Sequence, residues 1–139
     1  MIKYIFLILS SIIFFSCNSS VKNPKPKVII DPNPTSEMAQ LMRDMTVELD
    51  KIKIRIEKNE ILENNLLDFA LIHKTKVTDK SFNKPHIMPM SKVFHYAVDE
   101  FNKEPNTINY NNIINNCISC HQLSCQGPLM KINTLSINR

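Results

Sequence analysis

Apolar positions recur every three or four residues through most of the chain, and asparagine, proline and glycine interrupt them. Met38, Leu41, Met42, Met45, Leu49, Ile52 and Ile56 follow one another at these steps. That spacing puts them on one face of a helix. The opposite face holds Arg43, Asp44, Glu48, Lys51, Lys53, Arg55 and Lys58. Thr35 or Ser36 is placed to cap this helix, Glu37 gives it an acidic first turn, and Asn59 closes it. A second helix is predicted over about residues 60–74, with Leu62, Leu66, Phe69, Ala70 and His73 on one side. Residues 76–89 are rich in Lys, Asp, Ser, Asn and Pro and read as a loop. The third predicted helix covers about residues 89–102, with Pro89 in its first turn and Phe94, Ala97, Val98 and Phe101 inside. Pro105 breaks the chain, and Asn106 or Thr107 caps a fourth helix. Its inner stripe is Tyr110, Ile113, Ile114, Cys117 and His121, and Gly127-Pro128 stops it. The remainder, residues 129–139, is expected to turn back and pack Leu129, Ile132 and Leu135 loosely.

Four amphipathic helices joined by short to medium loops predict an all-α, up-down-up-down four-helix bundle over residues 35–139. Val28-Ile29-Ile30 is the only β-branched run, and prolines flank it. Residues 17–34 carry Pro24, Pro26, Pro32 and Pro34 among Ser, Asn and Lys, a spacing no helix survives. They read as an extended tether. Ahead of them, Lys3 precedes an almost wholly apolar run from Ile5 to Phe15 that contains two serines. That run is too short for a permanent bilayer span, so residues 1–16 read as an export signal.

Composition narrows the functional classes. The 139 residues include one glycine, Gly127, and eight prolines. A phosphate-cradling loop, a dinucleotide fingerprint and a nucleophile elbow all need more glycine than that. The formal charge of +4 is spread along the chain, with no basic run interleaved with aromatics. Nucleic acid is therefore not an expected partner. The charge reads first as a solvated lysine-rich surface, and secondarily as a means of steering toward an acidic redox partner.

The densest chemistry is Cys117-Ile118-Ser119-Cys120-His121. C-x-x-C-H is the attachment pattern of c-type haem. Two thiols on one helical turn can add to the two vinyl groups of a single porphyrin, and the following imidazole can reach the iron as its proximal ligand. A thioredoxin-like pair normally follows a strand in a β-α-β pattern, which is absent. A zinc site would need a second ligand pair, and Cys125 alone is a poor complement. The plainest alternative is a chance cysteine pair in a helix, one of them joined to Cys125. With Cys117 and Cys120 assigned to haem, Cys125 is left as a lone thiol. Four residues beyond His121, it is expected on the same face as a small buried filler.

Two resemblances extend this reading. Phe14-Phe15-Ser16-Cys17 resembles the lipobox of bacterial lipoproteins, with Phe14 where Leu is usual. The resemblance implies a lipidated Cys17 that anchors the chain to a membrane of the bacterial cell envelope, on the periplasmic side. Such export agrees with haem attachment, which follows translocation. The C-x-x-C-H motif on the last helix of a bundle, with methionines on the first, resembles the cytochrome c-prime family and its Met-ligated relatives over residues 36–127. By that resemblance one covalent haem c is held by Cys117 and Cys120 and ligated by His121. In such a bundle the last helix ends where the first begins, so Met38, Met42 and Met45 face the haem, with His86, Met88 and Met90 in a nearby loop. Met42, central on the stripe, is the expected distal ligand; an open distal site is the alternative. Arg43 can meet a haem propionate or remain a solvated helix-face residue. His73, His86 and His95 are expected to be surface or structural histidines.

The expected function is that of a monohaem electron carrier, not an enzyme. Its expected partners are a redox protein of the cell envelope, the membrane through the lipid anchor and, as an option, a second copy of the chain. The alternatives are a five-coordinate haem protein that binds nitric oxide or carbon monoxide, and a non-haem interaction lipoprotein with structural cysteines.

Overall fold

The structure is a computed structural model that describes residues 34–138. The expected export signal, Cys17 and all of the tether but Pro34 lie outside the described residues. The described residues form four α-helices: α1 (Glu37–Glu57), α2 (Ile87–Lys103), α3 (Thr107–Ser124) and the short α4 (Leu129–Asn133). Single 3-10 turns occur at Ile72–Lys74 and Lys80–Phe82, and the described residues contain no strand.

The helix ends follow the residue chemistry. Ser36 Oγ accepts from the Ala39 N–H at 3.2 Å at the start of α1, and Asn106 Oδ1 accepts from the Asn109 N–H at 2.8 Å at the start of α3. These bonds satisfy amides that have no partner inside the helix. α1 ends in a Schellman turn: Glu60 N–H donates to Arg55 O and Asn59 N–H to Ile56 O, both at 3.0 Å. Asn59 takes the left-handed conformation this turn requires, at φ 56°. α2 begins at Ile87, two residues ahead of Pro89, which still falls in the first turn where its missing N–H costs nothing.

The all-α class and the number of helices agree with the sequence pattern, but the members of the set differ. Residues 60–71 are not helical; they run extended and end in the 3-10 turn at Ile72–Lys74. Asn65 is left-handed at φ 58°, which no helix through this segment could accommodate. The side chain of Asn102 on α2 then grips the segment from both sides. Its Nδ2 donates to Leu67 O at 2.6 Å, and its Oδ1 accepts from Leu67 N–H at 2.9 Å. Burial alternates accordingly, with Leu67 and Phe69 inside and Asp68 and Ala70 outside. That is the period of an extended chain. Phe69 stacks on Phe94 of α2 with ring centroids 6.1 Å apart.

The C-terminal stretch is also more than loose packing. Ile132, Leu135 and Ile137 are all buried, whereas Leu129 is only half-buried. Asn111 of α3 holds Ile137 as Asn102 holds Leu67, donating to its carbonyl at 2.9 Å and accepting from its N–H at 3.0 Å. Tyr110, fully buried, shares its hydroxyl proton between the carbonyls of Leu49 and Leu135, each 3.1 Å away. One phenol thus joins α1, α3 and the tail. The chain therefore surrounds its core with three long helices, one extended segment and a short helical tail. The motif-bearing helix is the third of four.

Candidate cofactor site

The motif occupies the last turns of α3. Spacing of three puts Cys117 and Cys120 one above the other on a single face, and both are half-buried, as is His121. Burial, with the neighbouring Cys120 adding to it, pushes the Cys117 thiol up to about 12. Burial also raises the Cys120 thiol, against the lowering effect of its bond to Ser124. Reactive redox thiols and thiolate metal ligands need the opposite shift. Among the described residues no group of three or more His, Cys, Asp or Glu is placed to hold a metal ion. Cys117, Cys120 and Cys125 are all free thiols, so the pairing with Cys125 is not made.

These thiols open onto a cavity of about 520 Å³, within the size range of small-molecule sites. α1 contributes Met38, Met42 and Met45, the loop after the 3-10 turn contributes Val77 and Thr78, and the tail contributes Ile132 and Leu135. The loop is tied to the start of α1 by Met38 N–H donating to Lys76 O at 3.0 Å and by Thr78 Oγ donating to Ser36 Oγ at 2.8 Å. The expected meeting of the start of the first helix, the end of the motif helix and the intervening loop is therefore observed. Among the described residues no acidic side chain lines the cavity, and Arg43 and Lys131 are the Lys and Arg side chains at it.

His121 is oriented by the helix end itself. Its Nδ1–H donates to the carbonyl of Cys125 at 3.0 Å, while Cys125 N–H donates back to His121 O at 3.0 Å. A carbonyl can only accept, so Nδ1 carries the hydrogen of this bond, and in the neutral ring Nε2 carries the lone pair. That is the arrangement by which second-shell carbonyls fix metal-ligating imidazoles. Cys125 thus acts through its backbone. It lies at the C-cap of α3, extended at φ −154°, and its side chain is exposed, not buried behind His121 as the helical spacing suggested.

The remaining candidates separate cleanly. Met42 is half-buried on the cavity wall, between half-buried Met38 and buried Met45. Arg43 lies at the cavity with Nη1 donating to Thr35 Oγ at 2.9 Å. His73 pairs through Nδ1 with Ser91 Oγ at 3.0 Å, and Ser91 is only 2% exposed, so this is an internal structural contact. His95, Met88 and Met90 are on α2 and do not line the cavity. His86 reaches Ser124 of α3, Nε2 to Oγ 2.7 Å. Sequence reading missed Ser124, Lys131 and the tail wall of Ile132 and Leu135. The recurrence of Ile132, Leu135 and Ile137 was the available signal for the last two.

The donor set suits a covalently attached haem. Two thiols one turn apart face an apolar space, an imidazole beside the second has its Nε2 free, and thioether sulfurs stand on the far wall. Two cations at a cavity without acids match the two carboxylates of a porphyrin edge. Comparison with protein-family models, characterised proteins and solved structures finds no match to this chain. Among the described residues no helix is long and apolar enough to cross a membrane.

Proposed function

We propose that this chain is a lipid-anchored, monohaem c-type cytochrome that carries single electrons at the periplasmic side of a bacterial cell envelope. The observation that carries the proposal is the shared cavity: Cys117, Cys120 and a pre-oriented His121 on one wall, three methionines of α1 on the other. Bound there, haem supplies a one-electron ferric–ferrous couple. Cys117 and Cys120 would hold it to α3 by thioether bonds, His121 would offer Nε2 to the iron, and Met42 would offer its sulfur as a further ligand. The apolar walls keep water away, and Arg43 and Lys131 balance the carboxylates. Cys17 provides the membrane anchor, and an envelope redox protein is the partner.

The test is a pyridine haemochrome assay and an intact mass on full-length protein from a host competent in c-type haem attachment. A covalent haem and a low-spin ferric spectrum are expected. A colourless product sinks the reading. In Met42→Ala the ferric form is expected to become high-spin and the ferrous form to bind carbon monoxide readily. An unchanged low-spin spectrum removes Met42 as ligand. A wild-type protein already high-spin and carbon monoxide-binding moves the function to gas binding.

A further inference from the structure

The haem reading leaves His86 without a role. It stands at the N-cap position of α2, yet its side chain makes no capping bond. The imidazole instead turns to α3, where Nε2 lies 2.7 Å from Ser124 Oγ. That same hydroxyl is 4.0 Å from Cys120 Sγ. Sulfur, hydroxyl and imidazole therefore form one hydrogen-bonded line that begins at a haem-attaching thiol. Cys117, three residues earlier and facing the same cavity, is not on that line. The two cysteines of the motif are chemically unequal before any haem arrives.

We propose that Ser124 and His86 act as a proton relay for thioether formation at Cys120, so that the second cysteine of the motif is joined to haem before the first. This rests on the haem reading above. Addition of a thiol across a vinyl group is redox-neutral. The S–H bond of Cys120 breaks and a C–S bond forms at the vinyl α-carbon. The proton passes through the Ser124 hydroxyl to His86 Nε2, and the relay returns one proton to the vinyl β-carbon. The imidazole ends as it began, and the only co-reactant is ferrous haem. A positioned base contributes roughly a hundredfold or more to such a step, and Cys117 lacks this help.

The experiment uses full-length apoprotein made without haem-attachment machinery, reduced and mixed anaerobically with ferrous haem. Non-covalent binding is read from the Soret band, and thioether formation from the pyridine haemochrome band and the mass. Cys117→Ser, which keeps only Cys120, is expected to form its bond about a hundredfold faster than Cys120→Ser, which keeps only Cys117. His86→Gln, placed in the Cys117→Ser background, is expected to slow the bond by a similar factor with the Soret binding curve unchanged, and Ser124→Ala in the same background is expected to slow it likewise at saturating haem. Equal rates for the two single-cysteine chains, no effect of His86→Gln, or haem that binds without ever forming a thioether each overturn the relay. No Soret binding at all refutes the haem reading itself, so the two failures are told apart.

Discussion

Tyr110→Phe removes one oxygen and almost nothing else. The ring is fully buried and meets Phe101 edge-on at 6.2 Å, a contact that phenylalanine keeps. What is lost is the proton shared between the carbonyls of Leu49 and Leu135, each 3.1 Å away. The Leu49 carbonyl lies inside α1 and retains its helical acceptor role. Leu135 lies beyond the end of α4, so its carbonyl is left buried without that donor. An abandoned buried polar group costs about 1–3 kcal/mol, and the expected loss is about 2 kcal/mol. Urea unfolding of both proteins under identical conditions measures it, with unchanged dependence on denaturant. A difference below about 0.5 kcal/mol, the ordinary scatter of neutral substitutions, refutes the reasoning. The pH response gives an independent check. Burial, followed by the charge of Asp50, raises the Tyr110 phenol well above its ordinary 10.0. Above that pH the unfolded chain loses the proton before the folded one, so folding stability falls as pH rises. Phenylalanine has no such proton, and the gap between the two proteins should narrow above pH 10.

Asn102→Ala should cost about 1–3 kcal/mol, because both polar groups of the Leu67 peptide lose their partner. Thermal unfolding measures the loss, and Asn102→Asp, which sets a second oxygen against the Leu67 carbonyl in place of the donor, should destabilise as well. Ending the chain after Pro128 removes three buried side chains, Ile132, Leu135 and Ile137. At about 1.5–3 kcal/mol each this approaches the stability of a whole domain. The truncated protein should lack a cooperative thermal transition by circular dichroism; a retained sharp transition would show the tail dispensable.

The fold was legible wherever one side of a helix met one core. α2 buried the stripe its spacing marked, and α1 buried its own from Met45 to Ile56 while Met38, Leu41 and Met42 stayed half-buried; Ser36 and Asn106 capped helices through their side chains and Asn59 closed one through its left-handed backbone. Residues 60–74 were misread because Leu62, Leu66, Phe69 and His73 fit a helical period as well as Leu67 and Phe69 fit an extended one. The choice was made by the Asn102 amide, a tertiary partner that no local window contains, with Asn65 turning left-handed inside the segment. The tail was underrated for the same reason, since its grip comes from Asn111 and Tyr110 far back in the chain. At the site, the motif and the α1 methionines line one cavity as expected, because the extended segment, held from Asn102 back to Ser91, makes the return crossing that the expected second helix was to make. Cys125 was misplaced because the helix ends at Ser124, which turns its side chain outward and leaves its carbonyl to hold His121. The pairing of His86 with Ser124 joins two helices and has no sequence signature.

The cavity also determines how the protein should behave without the haem proposed to fill it. The space of about 520 Å³ opens to solvent between largely apolar walls, and left empty it would forfeit the packing contacts of those walls. The apoprotein therefore cannot keep these walls apart and dry; it must admit water or let α1 close inward. Either response falls on the half of α1 that lines the space, which includes Met42 and Met45, and not on the half beyond Leu49, where Ile52 and Ile56 lie in the core. Local opening of this kind is read by amide exchange. In the apoprotein, amides of residues 42–46 should exchange at least tenfold faster than those of residues 52–56, and covalent haem should abolish the difference. Equal protection of both halves without haem would mean that the cavity is rigid on its own, and that α1 needs no occupant to hold its place.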